Sequence, residues 1–190
     1  MIGSEANRTD ILIKWIERVR PDVVCLGETH INDDVQDHEI GINNYKLVRT
    51  NTINNRTGGV ITYITKSIEF KLIMNNVKIC EGTWLNICQL KSKEKILIVN
   101  LYRSPSSNIS DFCSNIENFL NIDNIIDRSK LIIVGDFNVD IMKENYYSKK
   151  IINRLASLGL KQNIKSPTRA TLNSDTIIDS LFSNFKCKTE

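Results

Sequence analysis

Long apolar runs are missing from this 190-residue sequence. No stretch approaches the roughly 18 consecutive apolar residues that a membrane-spanning helix needs. Residues 1–9 are polar and lack the apolar core of a secretory signal peptide. These absences argue against a helical membrane protein and predict an intracellular protein of the cytoplasm or nucleus, with no signal peptide and no membrane partner.

Cysteine pairs with a recognisable spacing are also missing. The chain has five cysteines, which is an odd number, and none of them forms the C-x-x-C spacing of a zinc or redox motif. Several lie within apolar, strand-like segments. The cysteine pattern therefore predicts reduced, buried thiols and not a disulfide framework.

Neither sign of charge dominates, because 25 Lys and Arg residues face 22 Asp and Glu residues for a net charge of +3. This balance permits a polyanionic partner but does not predict one, since strong nucleic-acid binders concentrate more positive charge. Internal repeats and low-complexity tracts are absent as well. The length suits one sizeable core, so we predict a single α/β domain over residues 1–190.

What the sequence does contain is an alternation of helical and strand-like patterns. One helix is predicted over residues 8–20, where Ile11, Leu12, Trp15, Ile16 and Val19 form one apolar face. The other predicted helices cover residues 111–126 and 147–158. Strands are predicted at 23–26, 60–64, 68–73, 83–90, 96–103, 131–134 and 176–182.

The most informative segment is residues 130–140, in which the apolar run Leu131 to Val134 predicts a strand buried on both faces. Asp136 and Asn138 follow at alternate positions, so an extended chain places both side chains on one side. Aspartate is a hard oxygen ligand suited to Mg²⁺, and asparagine can hold a phosphate oxygen. The alternative is an ordinary strand-ending turn, because Gly, Asp and Asn are common turn formers.

Two further strands end in polar groups. Glu28 follows the strand at 23–26, where it is either a ligand or a solvated loop charge. Tyr102 and Arg103 end the strand at 96–103, and a phenol beside a guanidinium suits a phosphate group. The alternative for this pair is a rim tyrosine beside a solvated arginine.

The segment Gly135-Asp136-Phe137-Asn138 resembles the GDFN signature of the endonuclease/exonuclease/phosphatase superfamily, which has the deoxyribonuclease I-like fold. Companion segments follow the order of that superfamily, and they most resemble endonuclease domains of LINE-type non-LTR retrotransposons. These segments are PDVVCLGET at 21–29, RTGG at 56–59, NLYRSP at 100–105, PTR at 167–169 and IDSLFSN at 178–184.

This resemblance implies a four-layer α/β/β/α sandwich of two mixed sheets. It also implies Mg²⁺-dependent phosphodiester hydrolysis, with Mn²⁺ as a possible substitute and DNA as the partner. Glu28 would hold the metal, Asp136 would orient or deprotonate the attacking water, and Asn138 and Tyr102 would bind the phosphate oxygens. The same comparison gives Asp179 a catalytic role and places Arg103 and Thr168 at the substrate.

The sequence departs from the superfamily pattern in two places. The late SDH motif with its catalytic histidine has no counterpart, since the only histidines are His30 and His38. The opening strand that carries an asparagine is also missing, and Asn7 does not replace it. We therefore expect a domain truncated at both ends, with exposed sheet edges and very low activity. His30 is a weak candidate for a replacement base, because it lies on the Glu28 loop.

Three functions follow from these observations. The first is a DNA-nicking endonuclease domain of a retrotransposon-type polyprotein, impaired by truncation. The second is another phosphoesterase of the same superfamily, acting on lipid or inositol phosphates or on RNA tails. The third is a non-catalytic remnant of the fold that binds DNA or protein weakly.

Overall fold

The computed structural model describes residues 5–53, 57–77, 79–92, 94–121, 130–171 and 175–189. Its helices are α1 Glu5–Val19, α2 Asp37–Ile40, α3 Ile109–Asn121 and α4 Tyr146–Ser157. Its strands are β1 Val23–Gly27, β2 Tyr45–Thr50, β3 Val60–Thr65, β4 Phe70–Val77, β5 Thr83–Leu90, β6 Ile96–Arg103, β7 Lys130–Asp136, β8 Lys161–Gln162, β9 Arg169–Ala170, β10 Asp175–Thr176 and β11 Asp179–Ser183. Residues 122–126 of the predicted second long helix, and Arg56 of the RTGG segment, lie outside the described residues.

The larger sheet has six described strands in the order β4-β5-β6-β7-β11-β8. Strands β6 and β7 are parallel, and the other pairs are antiparallel. The long helices α3 and α4 cover one face of this sheet through a core that includes Phe112, Ile116, Leu131, Ile133 and Ile151. Because β7 is covered on both faces, its sequence reads as a continuous apolar run.

The smaller sheet has three described strands, ordered β1-β3-β2 and antiparallel throughout. Its outer face packs against α1 through Ile16, Val24 and Tyr63. Its inner face meets the larger sheet through a second cluster that includes Ile64 and Cys88. The layers are therefore helix, sheet, sheet and helices, which confirms the predicted sandwich fold.

A buried polar network joins the two sheets near one end. The Asn100 amide on β6 donates to the carbonyl of Ile61 at 2.8 Å and to the carbonyl of Leu26 at 3.3 Å. Thr62 on β3 donates to the Asn86 side chain on β5 at 2.7 Å. Because buried polar groups are costly unless they are paired, these bonds favour one alignment of the sheets and hold the end of β1 beside β6.

Helix α1 differs from its prediction. Ile16 is buried and Leu12 is partly buried, but Ile11, Trp15 and Val19 are 60%, 41% and 49% exposed. The predicted apolar face is therefore wider than the surface that the three-stranded sheet offers to it. No helix in the described part of the chain is long and apolar enough to cross a membrane.

The thiols agree with the sequence analysis. All five cysteines are free, and Cys88 and Cys113 are buried. Burial is also the main cause that raises the pKa of the Cys25 and Cys88 thiols to about 12. These thiols are therefore protonated at neutral pH and pack as small apolar groups.

Candidate active site

The candidate site lies where β1 of the smaller sheet and β6, β7 and β11 of the larger sheet end together. Gly27, the last residue of β1, lies against both β6 and β7. A Cβ atom added to Gly27 would be 3.7 Å from the Cβ atoms of Asp136 and of Tyr102. The next residue, Glu28, therefore enters the same region as Asp136, although the two are far apart in sequence.

Glu28 is fixed by a hydrogen bond and by an unusual backbone conformation. The Tyr102 hydroxyl donates to the Glu28 carboxylate at 2.8 Å. Glu28 has a φ of +52°, a left-handed conformation that costs energy in a residue with a side chain. The backbone amides of Thr29 and His30 then donate to the carbonyls of Gly59 and Gly58. The Gly58–Gly59 loop therefore holds the chain after Glu28.

The same loop explains the paired glycines. Gly58 has a φ of +95°, and a Cβ atom on it would lie 2.4 Å from the Trp84 ring. Trp84 in turn packs beside Tyr102, with 5.8 Å between the ring centroids. Trp84 lies in the strand that the sequence predicts at 83–90. The structure places it, half-buried, between the glycine loop and the phenol that contacts Glu28.

Asp136 ends β7, and its carboxylate is held by the turn that follows. The backbone amide of Asn138 donates to the Asp136 side chain at 2.7 Å. Burial raises the pKa of the Asp136 carboxyl to about 6, and the negative charges of Asp179 and Glu28 add to this increase. The site therefore brings the negative charges of Glu28 and Asp179 close enough to act on the Asp136 carboxyl.

Asp179 reaches this position through strand pairing. It begins β11 and lies opposite Asp136 in the antiparallel register of β11 and β7. The Asp179 backbone amide donates to the Thr168 hydroxyl at 3.3 Å. Desolvation raises the pKa of Asp179, and a hydrogen bond from Thr168 opposes that increase. Thr168 and Asp179 therefore form one unit at the rim of the site.

Asn138 and Arg103 are linked by hydrogen bonds from the side chain of each residue to the backbone carbonyl of the other. The Asn138 side-chain amide donates to the Arg103 carbonyl at 2.9 Å, and Asn138 has a φ of +49°. The Asn138 side chain also hydrogen-bonds the Tyr102 phenol, and this bond opposes the rise in the pKa of that phenol. Both Glu28 and Asn138 therefore have strained backbones, a feature that is common at functional sites.

Arg103 is only 3% exposed, and its guanidinium group points inward. It donates to the carbonyls of Phe137 at 2.8 Å, of Ser107 at 2.7 Å and of Asn138 at 3.3 Å. This geometry favours a structural role for Arg103, in which it holds the turn at residues 137–138. The geometry is less compatible with the predicted contact between Arg103 and a phosphate. Sequence reasoning could not separate the two roles, because both require an arginine at the end of β6.

Tyr102 is 1% exposed, and its phenol has a raised pKa, caused first by burial and then by the hydrogen bond and charge of Glu28. The phenol is therefore a proton donor at neutral pH. His30 also approaches Glu28, with 3.8 Å between the imidazole Nε2 and a carboxylate oxygen. The structure thus places His30 beside Glu28, while His38 lies in the short helix α2.

The donor set suits a hard divalent cation. The Glu28 side chain is 45% exposed, and carboxylate oxygens are the ligands that Mg²⁺ prefers. The described residues contain no group of three or more His, Cys, Asp or Glu side chains arranged around one ion. Mg²⁺ commonly uses only one or two protein carboxylates and keeps several waters, so Glu28, with Asp136 nearby, fits such an ion.

Comparisons with known proteins agree with this architecture. A model of the endonuclease/exonuclease/phosphatase family matches residues 2–185. The endonuclease domain of TRAS1, a telomere-specific non-LTR retrotransposon, is a similar solved structure with 14% identity and a TM-score of 0.69. That alignment covers 92% of this chain and 78% of the TRAS1 domain.

Other similar structures belong to proteins with different names. The human nocturnin catalytic domain with bound sulfate is 17% identical, with a TM-score of 0.65 over 94% of this chain and 74% of that one. A mannosyl-6-phosphatase from Bacteroides thetaiotaomicron is 12% identical, with a TM-score of 0.65 over 94% of this chain and 76% of that one. At these identities the similarities establish a shared fold and do not identify a substrate.

Proposed function

Because this chain belongs to the endonuclease/exonuclease/phosphatase family, we propose that it hydrolyses phosphodiester bonds in DNA with the help of Mg²⁺. Mn²⁺ is a possible substitute. The observation that carries this proposal is the meeting of Glu28 and Asp136 at the ends of strands from different sheets. We further propose that residues 1–190 act as one domain, of the type that retrotransposon polyproteins use to nick DNA.

We assign the metal to Glu28, and we propose that Asp136, whose pKa is raised in part by the Glu28 charge, contacts the hydration shell of the ion. A divalent ion bound there would neutralise the phosphate charge and stabilise the departing oxyanion. The Asp136 carboxylate, with its raised pKa, is the group that we propose to orient the attacking water and accept its proton. In this proposal, the Asn138 amide and the Tyr102 phenol exchange their bonds to each other and to Glu28 for bonds to the phosphate oxygens, where negative charge accumulates.

The rim residues support this arrangement. We propose that Asp179 acts on the reaction through its charge beside Asp136, and that Thr168 holds Asp179 in place. Arg103 contributes by holding the turn at residues 137–138, which fixes both the Asp136 and the Asn138 side chains. Its contribution to substrate binding is therefore indirect in this scheme.

The retrotransposon-type role is supported by the unit formed by Thr168 and Asp179. These residues belong to the PTR and IDSLFSN segments that resemble the LINE-type endonucleases, and the structure joins them by a hydrogen bond. A nuclease of this type requires DNA as its partner.

A supercoiled-plasmid nicking assay tests this function. We expect Mg²⁺-dependent nicking that EDTA abolishes and that Glu28→Gln reduces to background. The rate should be about 10²–10⁴-fold below that of a family endonuclease with a catalytic histidine, since one acid–base group typically contributes that factor. Faster hydrolysis of mannose 6-phosphate than of plasmid would instead assign the chain to a phosphatase branch.

The position of the histidines favours one alternative function. Among the described residues, no histidine contacts Asp136, and His30 lies beside Glu28 instead. A non-catalytic module that binds DNA is consistent with this arrangement. Metal-independent binding of DNA that weakens as salt increases, together with the absence of nicking at any Mg²⁺ concentration, would support the module over the enzyme.

A further inference from the structure

A polar cleft of about 720 Å³ opens directly beside the candidate active site. One wall is the loop after β6, including Ser106 and Asn108, and the other wall runs from Asn138 to Tyr147. Asn138 and Arg103 belong both to this cleft and to the active site. A substrate whose phosphate reaches Asn138 would therefore extend into the cleft.

Two exposed aromatic rings stand at the outer end of this cleft. Tyr146 is 61% exposed and Tyr147 is 56% exposed. Their ring centroids are 5.6 Å apart, and the rings are nearly perpendicular at 77°. Single exposed apolar side chains are common on protein surfaces. An adjacent pair that lines a cleft next to a catalytic site is a more specific feature.

Tyr146 is held in place and is not a freely rotating surface side chain. The Lys150 ammonium group donates to the Tyr146 hydroxyl at 2.7 Å and to the Ser110 hydroxyl at 2.6 Å. The same ammonium lies 5.1 Å from the centroid of the Tyr146 ring. Asn145 caps α4 by accepting from the amides of Tyr147 and Ser148. Tyr146 and Tyr147 together are called the tyrosine platform, and its Tyr146 ring is therefore held in place before a ligand binds, which lowers the entropic cost of binding.

One cation beside the platform is available to an anion. Residues 140–154 contain four Lys or Arg side chains and two acidic ones, and ion pairs with carboxylates hold three of the four cations, namely Lys143, Lys149 and Arg154. Lys150 forms no ion pair with the residues that the structure describes, so its charge is not neutralised by a carboxylate. A second cleft of about 560 Å³, lined by Lys149, Lys150 and Arg154, continues from Tyr146 along α4.

We propose that Tyr146 and Tyr147 form a corner that holds an unpaired base of a polynucleotide whose scissile phosphate lies at Asn138, with one ring stacked on the base and the perpendicular ring against the edge of the base. This inference rests on the proposed phosphodiesterase function and specifies its substrate as a nucleic-acid strand with at least one unstacked nucleotide. Aromatic rings bind bases of any sequence through their faces, while nearby cations contact the backbone. The platform therefore selects for a nucleic-acid strand with an unstacked nucleotide and not for a particular base sequence.

Binding of a fluorescein-labelled single-stranded 12-nucleotide DNA in EDTA, followed by fluorescence anisotropy, tests this proposal without cleavage. The double variant Tyr146→Ala, Tyr147→Ala should bind about 10-fold more weakly, since stacking contributes about 1–3 kcal/mol per base. The double phenylalanine variant should keep most of the affinity, because it keeps the aromatic faces and loses only the hydrogen bond from Lys150 to the Tyr146 hydroxyl. Trp15→Ala, which removes an exposed aromatic ring from α1, is the matched control and should change nothing.

An oligonucleotide with abasic sites at every position supplies the second measurement. The wild type should bind it about as weakly as the alanine variant binds the normal strand, and the alanine variant should lose nothing further. Plasmid nicking by the wild type, together with unchanged oligonucleotide binding by the alanine variant, would overturn the stacking proposal and leave the proposed function standing. Absence of both nicking and oligonucleotide binding in the wild type would overturn both.

Discussion

A Gly135→Ala variant should fail to fold, or should lose more than about 4 kcal/mol of stability, the range reserved for severe backbone or core disruption. Gly135 has a φ of +148°, and a Cβ atom on it would lie 1.7 Å from the carbonyl oxygen of Leu101. Leu101 is its partner on the parallel neighbour β6. The added atom therefore requires β6 and β7 to separate at the point where they position Tyr102 and Asp136.

Urea unfolding followed by circular dichroism measures this effect, with Gly159→Ala as the matched control. Gly159 also has a positive φ, +76°, but a Cβ atom there would meet nothing within 4 Å. The control variant should therefore lose only about 1–2 kcal/mol, the cost of a left-handed alanine. Similar losses at the two positions would show that the close approach of β6 and β7 is not what requires glycine in the GDFN segment.

The Asp136→Asn variant should be more stable than the wild type and inactive. In the folded chain, the pKa of Asp136 is raised to about 6 from an ordinary value of 3.8. Folding therefore disfavours the ionised form of Asp136. The resulting loss of stability is fully present above pH 6 and disappears as the pH falls towards 4. At about 1.4 kcal/mol per pKa unit, the asparagine substitution should raise the free energy of unfolding by about 1–3 kcal/mol at pH 8 and by little at pH 4.

Metal-free urea unfolding at both pH values tests this prediction, and a nicking assay should show activity at background. The substituted side chain keeps an oxygen that can accept from the Asn138 backbone amide. The control Asp10→Asn lies on the exposed side of α1 and should change stability by less than about 0.5 kcal/mol at either pH. A variant that is less stable than the wild type at pH 8 would contradict the placement of Asp136 among other carboxylates.

The sequence was sufficient to predict the elements that carry the chemistry. The apolar runs of β1, β6 and β7 ended where polar residues began, and the structure brings the residues after these runs together. Period-two spacing and strand ends are local properties, so they can be recognised in a single sequence. The predicted sandwich fold rested on motif order, because nothing in the local patterns states which strands pair.

Side-chain direction was harder to predict than strand position. Arg103 was expected to contact substrate, but its guanidinium group bonds three backbone carbonyls inside the protein. The direction of a long side chain depends on which acceptors the rest of the fold places around it. The exposure of Ile11 and Trp15 on α1 has a similar cause, because helical periodicity cannot state how wide the neighbouring sheet will be.

Some contributions to the site had no distinctive signal in the sequence. Trp84 packs against Gly58 only because the β3 loop folds over the start of β5, which is a tertiary contact. Strand β2 was not predicted, although Tyr45–Thr50 alternates in exposure along its length. The adjacent tyrosines at 146 and 147 were a usable signal, since an aromatic pair at the start of a helix is noticeable in the sequence.

We propose that Glu28 holds a divalent ion in a pocket shared with Asp136. Electron paramagnetic resonance of Mn²⁺, with Mg²⁺ as competitor, measures this binding without requiring cleavage. Glu69→Gln is the control, because Glu69 pairs with Lys91 at 3.2 Å at the far end of the β4–β5 hairpin.

The wild type and Glu69→Gln should each bind one Mn²⁺ that Mg²⁺ displaces. Glu28→Gln should bind Mn²⁺ at least about 10-fold more weakly, since even residues that contact the ligands of a metal contribute that factor to its affinity. Equal Mn²⁺ affinity in the wild type and Glu28→Gln would contradict the assignment of the metal to this pocket.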